Sequence, residues 1–238
     1  MKTLILGDIH GRVCWKNIIS KENPDLTIFL GDYVTSHDNI DSNIQISNVL
    51  DILEYKENNP NECILLRGNH DLQCLYNNSD SWACYPEPSR ELLFVCSSES
   101  FVSRFLNDTQ WIYIDGNIVY SHAGISKTWL RDTGKSLENI NTLGPNRNLF
   151  GFRPNSYFDT SGDSVTQSCI WIRPQSLVED YIDDYTQVVG HSTVKTIVDL
   201  KKISPSIKNS IWLCDNLPDE YLIYENGNFE VRENYTSQ

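Results

Sequence analysis

Residues 7–12 of the chain, GDIHGR, directly follow a short apolar run, TLIL (3–6), at the start of the sequence. The stretch places Asp8 and His10 at the end of a segment that is apolar enough to be a buried strand. Burying a carboxylate is costly unless a partner compensates its charge, and a metal ion is one such partner. Because Asp8 and His10 are two residues apart, an extended strand end would point both side chains toward one ion.

The same arrangement recurs four times along the chain. LTIFL (26–30) leads into GDYV, CILL (63–66) into RGNHD, IVY (118–120) into SHAG, and QVV (187–189) into GHS. Short apolar runs bounded by glycine are typical of buried strands. Sites in α/β folds gather at the carboxyl ends of strands, so we expect the five motifs to meet in one place.

The other periodic segments predict a mixed α/β architecture. A helix is expected between the second and third runs, where Ser42 and Gln45 match a capping box. The apolar residues at helical spacing in that segment are Ile46, Val49, Leu50 and Leu53. Two hairpins are predicted where Asp115-Gly116 and Asn226-Gly227 each lie between β-prone runs.

Length and composition limit the possible classes of protein. The chain has 238 residues, which suits one large domain or two small ones, and we expect a single domain over 1–238. Its net charge of −13 disfavours general binding to nucleic acids or membranes. No apolar run has the length of a membrane span, and we expect no signal peptide before Asp8. The seven cysteines are odd in number and irregularly spaced, so we expect reduced thiols and a cytoplasmic location.

The strand-end motifs contain a set of side chains that could bind a metal. Four of the five histidines lie there. Asp32 could bridge two ions through its two oxygens, while Asn69, His122 and His191 offer an amide oxygen and two imidazoles. Such a set without thiolates suits Mn, Fe, Zn, Ni or Co. Two divalent ions would attract a phosphate, activate a water and bind the phosphoryl oxygens, while His70 could protonate the leaving group.

The ordered set GDIHG, GDYV, RGNHD, SHAG and GHS resembles the calcineurin-like metallophosphoesterase superfamily. Within it, the chain is most similar to the phosphoprotein-phosphatase type, including small bacterial and phage serine/threonine protein phosphatases and diadenosine tetraphosphatases. The resemblance spans residues 7 to about 192. It implies a two-sheet β-sandwich flanked by helices, with a dinuclear metal site at the strand ends and manganese as the first choice in vitro.

The resemblance also implies a role for each site residue. Asp8, His10 and Asp32 would bind one ion, and Asp32, Asn69, His122 and His191 the other. His70 would be the acid that is not a ligand. IWIRP (170–174) is similar to the family segment with a phosphate-binding arginine, so Arg173 is expected to contact the phosphate; pairing with a surface carboxylate is the alternative.

The second motif departs from the family pattern. It reads GDYVTSH (31–37) where GDYVDRG is common, so Thr35 replaces an acid that orients the catalytic histidine and Ser36 replaces a phosphate-binding arginine. His37 replaces the glycine and is either an exposed loop residue or a substitute phosphate contact. The loop 142–168, which contains Arg147 and Arg153, is expected to form a wall on the substrate side.

These observations favour a metal-dependent phosphoesterase that acts on phosphomonoesters or phosphoproteins through a hydroxide bridging the two ions. The alternative is a nucleotide hydrolase that cleaves either a phosphoanhydride, as the diadenosine tetraphosphatases do, or a phosphodiester such as that of a cyclic nucleotide. A binding module that has lost catalysis is disfavoured, because all six ligand positions and His70 are present.

Overall fold

The computed structural model of the protein describes residues 1–77, 84–153, 163–204 and 206–234. The strands, in chain order, are β1 (Lys2–Leu6), β2 (Leu26–Phe29), β3 (Cys63–Leu66), β4 (Thr109–Gln110), β5 (Ile112–Asp115), β6 (Ile118–Ser121), β7 (Thr186–Val189), β8 (Val198–Asp199), β9 (Ile211–Leu213), β10 (Glu220–Glu225) and β11 (Asn228–Glu233). The helices are α1 (Trp15–Glu22), α2 (Ser42–Asn58), α3 (Asn69–Leu75), α4 (Arg90–Cys96), α5 (Glu99–Asp108), α6 (Lys127–Thr133), α7 (Arg147–Phe150) and α8 (Pro174–Asp180). Two 3-10 helices cover Leu137–Thr142 and Leu200–Lys202.

The strands form two sheets. One has the spatial order β11-β10-β1-β2-β3-β4, and the other has the order β5-β6-β7-β9-β8. Strands β1, β2 and β3 are parallel to one another, as are β6 and β7. All five apolar runs that lead into the motifs are therefore strands, and within each sheet their carboxyl ends lie at the same edge.

Each central strand is buried on both faces, which explains why the runs are continuously apolar instead of alternating. In β1, Leu4 and Leu6 belong to a core shared with the helices, whereas Ile5 packs with Val188 and Trp212 of the other sheet. The predicted two-sheet sandwich flanked by helices is confirmed. Its two layers bring the strand ends of both sheets to one place.

The predicted helix and hairpins are present, but the predicted capping box is wrong. Helix α2 is capped by Asp41, whose carboxylate accepts a hydrogen bond from the Asn43 backbone N–H at 2.8 Å. Gln45 instead accepts a hydrogen bond from the Ser36 backbone N–H at 3.2 Å and donates to the Ile40 carbonyl at 2.7 Å. Gln45 thus fixes the loop after β2 instead of the start of the helix.

The segment 142–168 is described in part, and its residues 154–162 lie outside the described residues. The described part packs into the core: Phe150 stacks on Trp111 with 3.7 Å between ring centroids, and the Trp129 indole donates to the Leu149 carbonyl. Arg147 lies in α7 and Arg153 just after it. Among the described helices, none is both long enough and apolar enough to cross a membrane.

Candidate metal centre

Three of the predicted ligands have a backbone conformation that is uncommon for residues with a side chain. The φ angles are 44° at His10, 51° at Asp32 and 62° at His191, all in the left-handed region. Each residue follows the end of a parallel strand, so the chain turns sharply there and the side chain faces the junction of the two sheets. Such conformations cluster at functional sites, where the surrounding structure maintains them.

Two motif glycines leave the space that the carboxylates occupy. A Cβ atom at Gly190 would lie 2.2 Å from Oδ1 of Asp8, and one at Gly68 would lie 2.0 Å from Oδ1 of Asp32. Both distances are too short for any side chain. The glycines of GHS and RGNHD are therefore required for the close approach of Asp8 and Asp32 to neighbouring strand ends.

Asp8, His10 and Asp32 form a first group of donors. All three are buried, and each offers one ligand atom such that these atoms lie within 4.8 Å of one another. Nε2 of His10 lies 3.9 Å from a carboxylate oxygen of Asp8 and 3.9 Å from one of Asp32. Its Nδ1 atom lies 3.2 Å from the Val34 carbonyl, which leaves Nε2 for a metal.

His122, Asn69 and Asp32 form a second group. Nδ1 of His122 lies 2.8 Å from the Leu30 carbonyl, so Nδ1 is the donor and Nε2 faces the site. Nε2 lies 2.9 Å from Oδ1 of Asn69 and 3.4 Å from Oδ2 of Asp32. Three acceptor atoms thus converge on one point. Their mutual repulsion is relieved only if Nε2 carries a proton or if a cation binds between them.

His191 lies beside this second group. Its backbone N–H donates to both oxygens of Asp8, at 3.0 and 3.1 Å, and its ring centroid lies 5.1 Å from that of His122. Nε2 of His191 lies 3.2 Å from the Trp171 carbonyl, so Nδ1 is the nitrogen left for a ligand. Burial and the nearby Arg173 hold the pKa of His191 well below its usual value, which favours the neutral imidazole that binds metals.

The electrostatics of the site fit a divalent cation. Burial and the neighbouring Asp215 raise the pKa of Asp8. Burial also lowers the pKa of His122, but Asp32 and Asp8 raise it to about 10, so the ring would take up a proton in place of a metal. Carboxylate, amide and imidazole donors without thiolates suit transition-metal ions, and the donor set therefore fits the ions that the motifs predict.

The side chain of Thr35 contacts the ring of His70 and fixes which nitrogen of that ring faces the site. The Thr35 hydroxyl donates to the Val34 carbonyl at 2.6 Å, so its oxygen accepts the hydrogen bond from Nδ1 of His70. Nε2 of His70 then faces the site, 4.0 Å from Oδ2 of Asp32. Burial lowers the pKa of His70 to about 3 despite the opposing effect of Asp32, so the ring is neutral at neutral pH.

Asp71 is a further residue that supports the site, through hydrogen bonds to the backbone around it. Its carboxylate accepts backbone hydrogen bonds from Gly68 at 2.8 Å, Tyr33 at 2.9 Å and Asp32 at 3.0 Å. These bonds tie the end of β2 to the start of α3. The sequence feature that points to this role is the position of Asp71 as the last residue of the RGNHD motif.

The donors line an open cleft of about 350 Å³, together with Arg173 and His37. The Arg173 guanidinium lies 3.3 Å from the His191 carbonyl and 3.4 Å from the Ser192 hydroxyl. Tyr85, Thr193 and Asp215 also line the cleft, and no local sequence pattern marks them. Ser36 is not among the described lining residues, and the described residues include no carboxylate in an ion pair with Arg173.

Comparison with known proteins gives one family and several similar folds. The sequence model of the calcineurin-like phosphoesterase family matches residues 1–208. A cold-active protein-tyrosine phosphatase of a psychrophilic Shewanella species has a TM-score of 0.64 at 16% identity, covering 98% of this chain and 77% of that one. A protein serine/threonine phosphatase from Saccharomyces cerevisiae has a TM-score of 0.59 at 14% identity, with coverages of 98% and 79%. A metallophosphoesterase from Sphaerobacter thermophilus has a TM-score of 0.52 at 15% identity, covering 98% of this chain and 88% of that one. A search of curated proteins found no match.

Proposed function

The chain belongs to the calcineurin-like phosphoesterase family and is a phosphoester hydrolase, and from this premise we propose that it cleaves phosphate monoesters, small or carried by a protein, with two divalent metal ions. The observation that carries the proposal is the convergence of His122, Asn69 and Asp32 on one point, where a divalent cation would interact favourably with all three acceptor atoms. Asp8 and His10 offer a second group of donors, and Nε2 of His10 lies 3.9 Å from the same oxygen of Asp32, Oδ2.

The proposed ligands divide between the two ions. Asp8 and His10 would bind one ion, Asn69, His122 and His191 would bind the other, and Asp32 would bind both. When bound, two such ions would activate a water and neutralise the charge of the phosphoryl oxygens. We expect manganese to support the activity in vitro.

His70 is the proposed proton donor to the leaving oxygen. Thr35 accepts the hydrogen bond from Nδ1 and so holds Nε2 toward the cleft. Once the charge of a phosphate monoester favours protonation, Nε2 can give its proton to the departing oxygen. The hydroxyl of Thr35 thus takes over the orienting task of the acid that is common in the family.

Arg173 is the proposed contact to the substrate phosphate. Its guanidinium lies at the cleft, and its bonds to the His191 carbonyl and the Ser192 hydroxyl, at 3.3 and 3.4 Å, both involve the same nitrogen, Nη1. Arginine can bind two phosphate oxygens through its planar fork. A cationic side chain here would attract phosphate to a protein whose net charge is −13.

A nucleotide hydrolase that cleaves a phosphoanhydride or a phosphodiester is the second candidate. Thr35 supports this candidate, because the resemblance implies that the nucleotide-cleaving relatives also lack the acid at this position; Ser36 argues against it, because those relatives keep the arginine that it replaces. Five buried thiols, Cys63, Cys74, Cys96, Cys169 and Cys214, fit the cytoplasmic location that we propose for either function.

A substrate panel tests the proposal. The manganese-loaded protein would be incubated with phosphomonoesters, a phosphopeptide, dinucleoside polyphosphates and cyclic nucleotides, and the products measured. We expect release of phosphate from the monoesters that stops when the metal is chelated. Cleavage of dinucleotides or cyclic nucleotides alone would favour the second candidate, and no cleavage of any substrate would contradict both.

A further inference from the structure

His37 lies at the cleft and not in a remote loop. Its ring centroid lies 5.1 Å from that of His10 and 5.9 Å from that of His70, and the planes of the rings are steeply inclined in both pairs. The residue is exposed, so its ring is accessible from the cleft. It therefore lies next to the proposed proton donor, on the side where a leaving group would depart.

The loop that carries His37 is fixed on both sides. The Ser36 backbone N–H donates to Gln45 of α2 at 3.2 Å. On the other side, the carboxylate of Asp38 accepts a hydrogen bond from Nε of Arg12 at 2.7 Å. His37 is held between these two attachments, so its position beside His70 is a property of the fold.

Tyr85 contributes a second ring to the same part of the cleft. Its centroid lies 6.3 Å from that of His37, and the residue is 84% exposed. The preceding residue, Cys84, is tied to α3, because its carbonyl accepts a hydrogen bond from Gln73 at 3.0 Å and its sulfur one from Asn69 at 3.1 Å. The Tyr85 ring is thereby placed at the mouth of the cleft.

The cleft thus has two chemically different parts. Arg173 lies beside His191 and Ser192, where it can bind a phosphate, and the two rings lie in the part that contains His10 and His70. Aromatic rings interact well in inclined or offset arrangements with centroids about 4.5–7 Å apart. A group that receives a proton from His70 and is itself aromatic would meet both rings.

We propose that His37 and Tyr85 form a binding site for an aromatic leaving group, and that the enzyme therefore prefers aryl phosphate monoesters to alkyl ones. The proposal rests on the proposed function, in which His70 protonates the leaving oxygen. An aryl phosphate fits better than a nucleotide, because its ring is bonded directly to that oxygen, whereas a sugar separates the base of a nucleotide from its phosphate.

The reaction is a simple hydrolysis. The oxygen of water bonds to phosphorus, and the bond between phosphorus and the aryl oxygen breaks. The departing oxygen takes the proton that His70 holds at Nε2, the proton lost by the water passes to solvent, and His70 regains a proton from solvent. The products are inorganic phosphate and a phenol, and His37 and Tyr85 take no part in the transfer of atoms.

Binding of two phosphonates tests the proposal without turnover. Benzylphosphonate and cyclohexylmethylphosphonate have the same charge and similar size, and neither is hydrolysed. Their dissociation constants would be measured by calorimetry on the manganese-loaded protein. We expect the wild type to bind the benzyl compound more tightly by about 3- to 10-fold, as expected for contacts between aromatic rings.

Four variants locate the source of this preference. Tyr85→Leu and His37→Asn should each reduce the ratio of the two constants toward 1, and Tyr85→Phe should keep it because the ring remains. Phe94→Ala is the matched control, since Phe94 is another exposed aromatic residue, 81% exposed, and does not line the described part of the cleft. A ratio unchanged by both Tyr85→Leu and His37→Asn would overturn the proposal.

Two further ligands separate this proposal from the proposed function. If inorganic phosphate binds to the loaded protein but the wild type shows no preference for the benzyl compound, only the leaving-group site is contradicted. If neither phosphate nor a phosphonate binds, the proposed function fails as well. If the two variants weaken binding of AMP but not of benzylphosphonate, the rings serve a nucleobase and the aryl assignment is wrong.

Discussion

Nε2 of His122 lies 3.4 Å from Oδ2 of Asp32, and the two atoms belong to strand ends of different sheets. The imidazole is fully buried, and its other nitrogen, Nδ1, donates a hydrogen bond to the Leu30 carbonyl. Nε2 can therefore accept only a proton or a metal at this point. Burial raises the pKa of Asp32, but His122 and His70 outweigh this effect and hold it below its usual value, so the carboxylate is ionised for either partner.

Asp32 is the only residue that we assign to both ions, so even a conservative replacement should reduce the activity severely. Loss of a residue that merely supports a metal ligand costs about 10- to 100-fold in metal affinity or activity. Asp32→Asn should therefore lower phosphate release from p-nitrophenyl phosphate by at least about 100-fold. Asp51→Asn is the matched control, because Asp51 is a surface carboxylate paired with Lys16. Hydrolysis that survives Asp32→Asn with both ions bound would refute the bridging role.

Replacement of His70 should affect substrates unequally. A proton donor matters most when the departing oxygen is basic, so His70→Asn should slow alkyl phosphates by about 10²- to 10⁴-fold and slow p-nitrophenyl phosphate less. The measurement is kcat for a series of esters with increasing leaving-group pKa. Equal losses across the series would mean that His70 positions the phosphate instead of donating a proton.

We propose Thr35 as a positioning residue, whose hydroxyl orients the ring of His70. Thr35→Val keeps the shape of the side chain but removes the acceptor for Nδ1 of His70, so kcat should fall by about 10-fold, the size of one hydrogen bond. Thr35→Ser restores the hydroxyl and should recover most of the rate. If Ser and Val are equally impaired while both variants still bind metal and phosphate, the hydroxyl does not orient His70.

Arg173→Lys should weaken binding of inorganic phosphate and vanadate although it keeps the charge, because lysine cannot reproduce the two-point contact of the guanidinium. Loss of one charge-assisted hydrogen bond corresponds to about 10-fold or more in the inhibition constant. Arg131→Lys, at an exposed arginine, serves as control. An inhibition constant unchanged by Arg173→Lys would place the phosphate contact elsewhere.

The fold and the cluster of predicted ligands were accessible from the sequence because both depend on local patterns. A run such as TLIL is buried on both faces, and the motif after it lies at the strand end. Gln45 shows where this reasoning fails, since its side chain binds the Ser36 backbone and the Ile40 carbonyl instead of capping α2. The hydrogen-bond partners of Gln45 depend on how the loop after β2 packs, and the spacing of residues along the sequence does not predict that packing.

The residues that complete the cleft were missed for the same reason. Tyr85 and Asp215 line it, yet neither belongs to one of the five strand-end motifs. Their positions follow from the contacts of Cys84 with α3 and of Thr193 with Asp215, whose hydrogen bond measures 2.8 Å. His37 and Thr35 stood out as departures from a pattern, but only the structure shows that both lie beside His70.

The assignment of two ions to six side chains can be measured directly by a crystal structure of the manganese-loaded protein with anomalous scattering, combined with elemental analysis. We expect two manganese ions per chain. One would be bound by Asp8, His10 and Asp32, and the other by Asp32, Asn69, His122 and His191. A single ion per chain, or ions bound by other residues, would contradict it.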